Sequence, residues 1–259
     1  MSTHPESNRA RQKNAAKLAA ELIRTKILRP AILRHEEKRW NVIASGWEVG
    51  GASGLGDVVN AVLAETRADA STVAVDLGSG TGQLALPLAK VVERVWAVDI
   101  SAAMLDLLVQ NALKQGSTNV EPMVASIEGV AFPPASIDLV VTNYALHHLM
   151  DRDKEDLIKR VAVWLKPGGR IVIGDMMFGR GSDQRDREII KSKVASMARK
   201  GPAGWWRIAK NLWRFSFRVQ ERPVRIEVWE RYLRDAGFEG FVAKPVVAEA
   251  VVVVASRPS

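Results

Sequence analysis

Residues 75–82 have the sequence Val75-Asp76-Leu77-Gly78-Ser79-Gly80-Thr81-Gly82. An apolar, β-branched run precedes this stretch and a helical pattern follows it, which predicts a turn between a strand and a helix. Glycine lets the chain turn sharply there and lets a ligand approach the backbone without interference from Cβ atoms. The stretch therefore predicts a ligand-binding loop at the carboxyl end of a strand.

The glycine spacing excludes two common phosphate-binding loops. The dinucleotide pattern G-x-G-x-x-G, started at Gly78, requires glycine at position 83, where the chain has Gln83. The phosphate-loop pattern also fails, because no Lys-Ser or Lys-Thr pair follows. What remains is D-x-G-x-G-x-G, with Asp99 at the end of the next predicted strand.

The flanking sequence alternates short apolar strands with helices, which is typical of a parallel sheet covered on both faces. We predict strands at 72–77, 95–98, 120–126, 137–143, 170–175, 240–244 and 250–255, with a turn at 166–169. The last two strands are expected to pair antiparallel. The predicted fold class is α/β, a doubly wound, mostly parallel seven-stranded sheet with an antiparallel C-terminal strand.

Charge is distributed unevenly along the 259 residues. The net charge is +8, with a local +6 in residues 1–40, +9 in residues 180–225 and about −7 in the remainder. Basic surfaces attract phosphates of nucleic acids or anionic lipids, although a solvated helix face is an equal alternative. We therefore divide the chain into a basic helical N-terminal cap (1–60), a Rossmann-like core (61–178), a basic Trp-rich helical lid insertion (179–225), and a C-terminal helix and strand hairpin that completes the core (226–259).

Composition excludes several classes of protein. The chain has no cysteine, which removes disulfides and thiolate metal sites. It has four histidines without a His-x3-His spacing, so we expect no built-in metal site. No apolar stretch approaches 18 residues and the polar N-terminus does not resemble a secretory signal, so we expect a cytoplasmic protein.

The glycine loop together with Asp99 resembles the class I S-adenosylmethionine-dependent methyltransferases. The resemblance covers roughly residues 72–175. Within this range, the Lys166-Pro167-Gly168-Gly169 turn and the approach to the fourth strand at 128–140 also resemble the family. This middle region is most similar to the ubiquinone/menaquinone-biosynthesis C-methyltransferase group. The resemblance implies a Rossmann-like methyltransferase fold with S-adenosyl-L-methionine as cofactor.

The resemblance also implies roles for individual residues in binding the cofactor. Asp76 would lie beside the methionine ammonium group, and Asp99 would accept hydrogen bonds from both ribose hydroxyls. Ser126 stands where the family often has an aspartate for the adenine amino group, and Ile127 could pack on the adenine. The predicted cofactor-binding residues are Asp76, Gly78, Ser79, Gly80, Gly82, Asp99, Ile100, Ser126, Ile127, Asn143 and Tyr144.

Candidate catalytic residues follow the fourth and fifth strands, at the sheet edge where ligands bind in such folds. We name His147, His148 and Asp175, since histidine can accept a proton from a phenol or an enol. The alternative is that the histidines cap the following helix or bond to the backbone and that Asp175 caps a loop.

Residues 204–218 combine tryptophans with a basic stripe at helical spacing, which is typical of an interfacial helix. One hypothesis is a lid that docks on an anionic membrane surface, at the inner face of the membrane, and collects an apolar acceptor. An ordinary helix that covers the active site is the alternative, and RNA binding is a third interpretation.

The predicted function is methyl transfer to a small-molecule or lipid acceptor. An RNA methyltransferase is the first alternative, although the N/D-P-P-[YF] signature of amino-directed nucleic-acid enzymes is replaced by Asn143-Tyr144-Ala145-Leu146. A non-catalytic S-adenosylmethionine-binding protein is the second alternative.

Overall fold

A computed structural model describes residues 29–44, 55–179, 184, 186–188, 191, 194–195 and 222–259. The chain forms two compact units, residues 1–47 and residues 48–259. Helix α1 (Arg29–Ala44) belongs to the first unit. The predicted Trp-rich helix at 204–218 lies outside the described residues, and so does most of the insertion predicted at 179–225.

The second unit contains seven strands and the helices that connect them in the part of the chain described. The strands are β1 (Val73–Leu77), β2 (Arg94–Asp99), β3 (Val120–Val124), β4 (Ile137–Asn143), β5 (Leu165–Met176), β6 (Glu239–Pro245) and β7 (Ala250–Ser256). The helices are α2 (Leu55–Ala64), α3 (Ala85–Ala89), α4 (Ala102–Lys114), α5 (Asp151–Trp164) and α6 (Ile226–Asp235). None of the helices within the described ranges is both long and apolar enough to cross a bilayer.

The strands form one sheet in the order β3-β2-β1-β4-β5-β7-β6. Strands β1 to β5 run parallel, and β7 pairs antiparallel with both β5 and β6. The predicted fold class and the antiparallel final pair are therefore confirmed. The strand order reverses between β1 and β4, and the crevice at the carboxyl ends of two such strands is where ligands bind in doubly wound sheets.

Alternate strand residues face opposite sides of the sheet and build two apolar cores. In β7, Val251 and Val253 belong to the core with α5 and α6, whereas Val252 and Val254 belong to the core with α2, α3 and α4. All four valines are at most 4% exposed. Burial on both faces explains the continuous valine run, and the two cores fix the strand ends that carry the polar residues of the crevice.

Strand β5 differs from the prediction at its start. The Lys166–Gly169 stretch was expected as a turn before a strand at 170–175, but β5 begins at Leu165. Ile137 pairs with Leu165, and Leu139 pairs with Arg170. Residues 166–169 of β5 therefore form a bulge opposite the single residue Asp138. Gly168 has a φ of 76°, which explains why glycine occupies the bulge.

Candidate active site

Backbone hydrogen bonds hold the glycine loop (residues 78–82) against the end of β2. The N–H groups of Gly78 and Ser79 both donate to the Val98 carbonyl, at 2.8 and 3.0 Å. Gly78 has a φ of 76°, and a Cβ atom there would collide with Ala145 Cβ. The close approach brings the loop after β1 against the turn after β4, so the two halves of the crevice meet at Gly78.

Asp99 lies at the end of β2 and faces this loop. Its Oδ2 accepts the Gly80 N–H at 2.9 Å and its Oδ1 accepts the Ser101 N–H at 2.8 Å. Burial raises the pKa of Asp99, although the N–H groups of Ser101, Gly80 and Ile100 act in the opposite direction. A carboxylate can accept about four hydrogen bonds, so both oxygens retain capacity for a diol. A Cβ atom on Gly80 would meet nothing within 4 Å, so the space beside the carboxylate is open.

Asp76 is a buried acid at the end of β1, and one of its oxygens has no hydrogen-bond partner among the described residues. The side chain is 1% exposed. Burial raises the pKa of Asp76 to about 8; the Ala85 N–H lowers it and the nearby Asp99 raises it further. An unpartnered buried oxygen of this kind is suited to a cationic group of a ligand.

Three further buried polar atoms surround the crevice without partners in the described part of the chain. They are Ser79 Oγ, Thr81 Oγ1 and Asn143 Oδ1. Ser79 and Thr81 belong to the glycine loop, and Asn143 is the last residue of β4. Native structures rarely leave such atoms unpaired, so their clustering at the strand-order reversal indicates a polar ligand. Sequence reasoning missed Thr81, for which the one available signal was its place between two loop glycines.

The loop after β3 forms another wall of the crevice. Ile127 Cδ1 lies 3.6 Å from the point where a Gly78 Cβ atom would stand. The Ser126 hydroxyl oxygen accepts the Gly129 N–H at 3.2 Å and so helps to shape its own turn. Arg160 on α5 donates to the carbonyls of Ile127 and Val130. The adenine contacts expected from Ser126 and Ile127 stay predictions.

Tyr144 begins the turn that follows β4. Its backbone has a φ of 49°, which is uncommon for a residue other than glycine, and its N–H donates to the Gly174 carbonyl at 2.8 Å. Burial raises the pKa of the phenol, and so do the charges of Glu249 and Asp175. The side chain therefore stays neutral. It packs with Met176 and Phe178 in a small apolar cluster and also against the core formed with α2, α3 and α4.

His147 and Asp175 form a buried pair at the carboxyl ends of β4 and β5. His147 Nδ1 lies 2.6 Å from Asp175 Oδ1, and the His147 backbone N–H donates to Asp175 Oδ2 at 3.0 Å. The two residues are 6% and 1% exposed. Burial raises the pKa of Asp175, but His147 and the Met176 N–H lower it by more, so this pKa lies below its usual value.

The pairing determines the chemistry available to the imidazole. When Nδ1 carries the proton that is donated to the ionised Asp175, Nε2 keeps its lone pair and can act as a general base. The His148 ring contacts the His147 ring in a tilted arrangement, with ring centroids 4.0 Å apart and an angle of 47° between the planes. The N-cap residue of helix α5 is Met150, and no side chain caps this helix end. The His147 ring therefore does not cap the helix; it bonds to Asp175.

A separate cavity of about 610 Å³ lies at the opposite edge of the sheet. Its walls include Pro134, Lys159, Gly237 and Arg257. Lys159 pairs with Glu155, and Arg257 donates to the Leu165 carbonyl. None of the predicted site residues lines this cavity, so the crevice at the carboxyl ends of β1 and β4 is the candidate site.

Comparison with known proteins relates the domain that carries this crevice to methyltransferases. Residues 74–169 match the family model of a methyltransferase domain. An uncharacterized methyltransferase of Anoxybacillus flavithermus is 28% identical over 148 residues, which are 57% of this chain and 63% of that relative. The alignment therefore spans less than two thirds of that relative's length.

Two further relatives extend the comparison. A carboxy-S-adenosyl-L-methionine synthase of Pseudomonas putida is 28% identical over 70% of this chain and 74% of its own. A solved structure of phosphoethanolamine N-methyltransferase 1 of Haemonchus contortus, in complex with phosphoethanolamine and S-adenosylhomocysteine, superposes with a TM-score of 0.63. That structure is 14% identical and covers 88% of this chain and 50% of its own. The matched methyltransferase domain, the methyltransferase relatives and the fold together support the class I S-adenosylmethionine-dependent methyltransferase superfamily, with S-adenosyl-L-methionine as the cofactor.

Proposed function

We propose that this protein transfers the methyl group of S-adenosyl-L-methionine to an acidic hydroxyl group of a small, apolar acceptor. The bound cofactor supplies a methyl carbon already activated by a sulfonium sulfur, so the protein must mainly orient the acceptor, exclude water and remove a proton. The observation that carries the proposal is the buried pair of His147 and Asp175 beside the cofactor loop.

The residues of the crevice fit the cofactor group by group. The unpartnered oxygen of Asp76 suits the methionine ammonium, and Asp99 suits the ribose diol. Ser79, Thr81 and Asn143 offer further polar atoms without partners among the described residues. Each of these groups is buried or lies at the edge of the core, where an unsatisfied polar atom costs free energy until a ligand pairs with it.

The imidazole of His147 accounts for the proton of the acceptor. As the acceptor oxygen attacks the methyl carbon and the carbon–sulfur bond breaks, Nε2 takes the hydroxyl proton and sulfur keeps the bonding electrons. The ionised Asp175 stabilises the imidazolium that results, since its oxygens are 2.6 and 3.0 Å from groups of His147. An acceptor without an acidic proton would gain little from this arrangement.

The apolar character of the acceptor is inferred from the surroundings of the pair. Tyr144, Met176 and Phe178 form their apolar cluster at the same sheet edge, and the Tyr144 ring lies edge-on to His147 with centroids 6.3 Å apart. Apolar and aromatic walls with a few polar groups are typical of small-molecule sites. This supports a small apolar acceptor.

The direct test is transfer of label from S-[methyl-³H]adenosyl-L-methionine into a cell extract, followed by separation into organic, aqueous and macromolecular fractions. We expect label in the organic fraction, and none with the Asp99→Ala variant. A mass shift of one methyl group in an acidic hydroxyl compound identifies the product. Label confined to RNA, or conversion of the cofactor without labelled product, would refute the proposal.

A prediction concerns Asp76 and pH. Its pKa of about 8 in the cofactor-free fold lies above that of the unfolded chain, so its favourable contribution to folding is complete only at acid pH and is lost as the pH rises towards 8. Asp76→Asn should therefore raise the melting temperature of the cofactor-free protein at pH 8 by several degrees. The same change should weaken S-adenosylmethionine binding at least about tenfold, because the neutral amide loses the charge-assisted contact.

Calorimetric titration and thermal melts at pH 6, 7 and 8 check this prediction. Binding of the ammonium group should release the proton of Asp76, so the heat at pH 7 should depend on the ionisation enthalpy of the buffer in the wild type and less so in Asp76→Asn. A destabilised variant that binds the cofactor as tightly as the wild type would contradict the role given to Asp76.

A further inference from the structure

The short 3-10 turn that carries the histidines (Leu146–His148) is held by two basic residues from outside the candidate site, through one backbone N–H and two side chains. The Arg222 backbone N–H donates to the His147 carbonyl at 2.7 Å, and Arg222 Nη1 donates to the His148 carbonyl at 3.0 Å. Lys154 Nζ donates to the Leu149 carbonyl at 2.8 Å. Three successive carbonyls of the turn thus receive hydrogen bonds from Arg222 and Lys154.

Lys154 is an unusual lysine, because it is 0% exposed. Its ammonium also donates to the Arg222 carbonyl at 2.7 Å and lies 3.3 Å from Asp151 Oδ1. Burial of an ammonium group is unfavourable unless its hydrogen bonds and charge are satisfied. Lys154 therefore differs from an ordinary solvated lysine on a helix face. Its ammonium group joins α5 to Arg222 and to the turn.

We infer that Arg222 and Lys154 are positioning residues that orient His147 for proton transfer, an inference that rests on the proposed function. Asp175 holds His147 from one side, through the ring and the backbone N–H. The backbone N–H of Arg222 holds the same residue through the His147 carbonyl. Because both the backbone N–H and the carbonyl of His147 are held, its Nε2 atom keeps one direction relative to the glycine loop.

The hydrogen bonds to this turn act on the position of His147 rather than on the stability of the fold. A displacement of a reacting group by about 1 Å can slow a reaction about 100-fold. The turn follows Tyr144, whose left-handed backbone requires support from its surroundings. Removal of the Arg222 guanidinium removes one hydrogen bond to the His148 carbonyl and leaves the backbone bond to His147, so the turn gains freedom to rotate about the remaining bonds.

The experiment compares Arg222→Ala with Arg170→Ala. Both variants remove a guanidinium that donates to one backbone carbonyl at 3.0 Å, from His148 in the first case and from Glu65 in the second. Arg170 directly follows the bulge of β5 and pairs with Leu139, away from the crevice, so its loss reports a general effect on packing. The readouts are kcat and its pH profile, the cofactor dissociation constant, and the proton NMR signal of the His147 Nδ1–H, assigned by its loss in His147→Ala.

For Arg222→Ala we expect kcat to fall about 10- to 100-fold, with a changed pH profile, an unchanged cofactor dissociation constant and a shifted or faster-exchanging Nδ1–H signal. Arg222→Lys should restore part of each property, and Arg170→Ala should change none. An unaltered Nδ1–H signal in Arg222→Ala overturns the inference, whatever the activity. Absence of methyl transfer by the wild type, with this signal present, would instead refute the proposed function alone.

Discussion

Replacement of His147 by alanine is expected to lower kcat by about 10²- to 10⁴-fold, the range typical of losing a general base, while cofactor binding stays close to that of the wild type. The reason is that His147 is paired with Asp175 and not with the groups that fit the cofactor. Asp175→Asn should give a loss of similar size, since an amide that donates to Nδ1 would leave the proton on Nε2.

His148→Ala is the matched control for this prediction. It removes the same type of side chain from the adjacent position, but the ion pair with Asp175 belongs to His147. We expect a smaller loss of kcat, because the tilted His148 ring contacts His147, whereas the ion pair with Asp175 at 2.6 Å is made by His147. Single-turnover kinetics and melting curves of all three variants make the comparison. An inactive His148→Ala beside an active His147→Ala would contradict our assignment of the base.

Replacement of Asp99 by alanine is expected to weaken cofactor binding by about 10²-fold or more. Two hydrogen bonds to a charged carboxylate contribute roughly 1.5–3 kcal/mol each. In the wild type, a cofactor analogue that lacks the ribose 2′-hydroxyl should bind more weakly than S-adenosylhomocysteine. In Asp99→Ala the two ligands should bind about equally, because the acceptor of that hydroxyl is gone.

Asp138→Ala provides the control for Asp99→Ala. Asp138 also accepts a main-chain N–H, from Val73 at 2.9 Å, and pairs with Lys166 at the other edge of the sheet. Its loss should lower the melting temperature without altering cofactor affinity. Calorimetry with both ligands on the three proteins completes the cycle. Equal discrimination between the ligands by wild type and Asp99→Ala would show that Asp99 does not bind the ribose.

Much of the sheet was predictable because its signals are local. The strand predicted at 137–143 has the same bounds as β4. The glycine loop and Asp99 were also predictable, since a sharp turn and an acid at a strand end follow from residue type and order. The bulge in β5 was not, because Pro167 and Gly168 are equally typical of a free turn.

The contacts within the site depend on long-range packing. His147 and Asp175 were both named from their strand ends, but their hydrogen bond depends on the left-handed backbone at Tyr144, which sequence alone does not indicate. Lys154 resembled any charged residue of an amphipathic helix, and its burial depends on Arg222, 68 positions away. Hydrogen bonds between distant residues of this kind carry no periodic signal.

Calorimetric titration of the wild-type protein with S-adenosyl-L-methionine, alongside NAD as a pyrophosphate-bearing competitor, tests whether the crevice at β1 and β4 binds a sulfonium nucleoside. We expect one cofactor per chain with a dissociation constant in the range of about 1 μM to 1 mM, proton release near pH 7, and no heat with NAD. Absence of binding of S-adenosyl-L-methionine, or tighter binding of NAD, would contradict the assignment of this crevice to S-adenosyl-L-methionine.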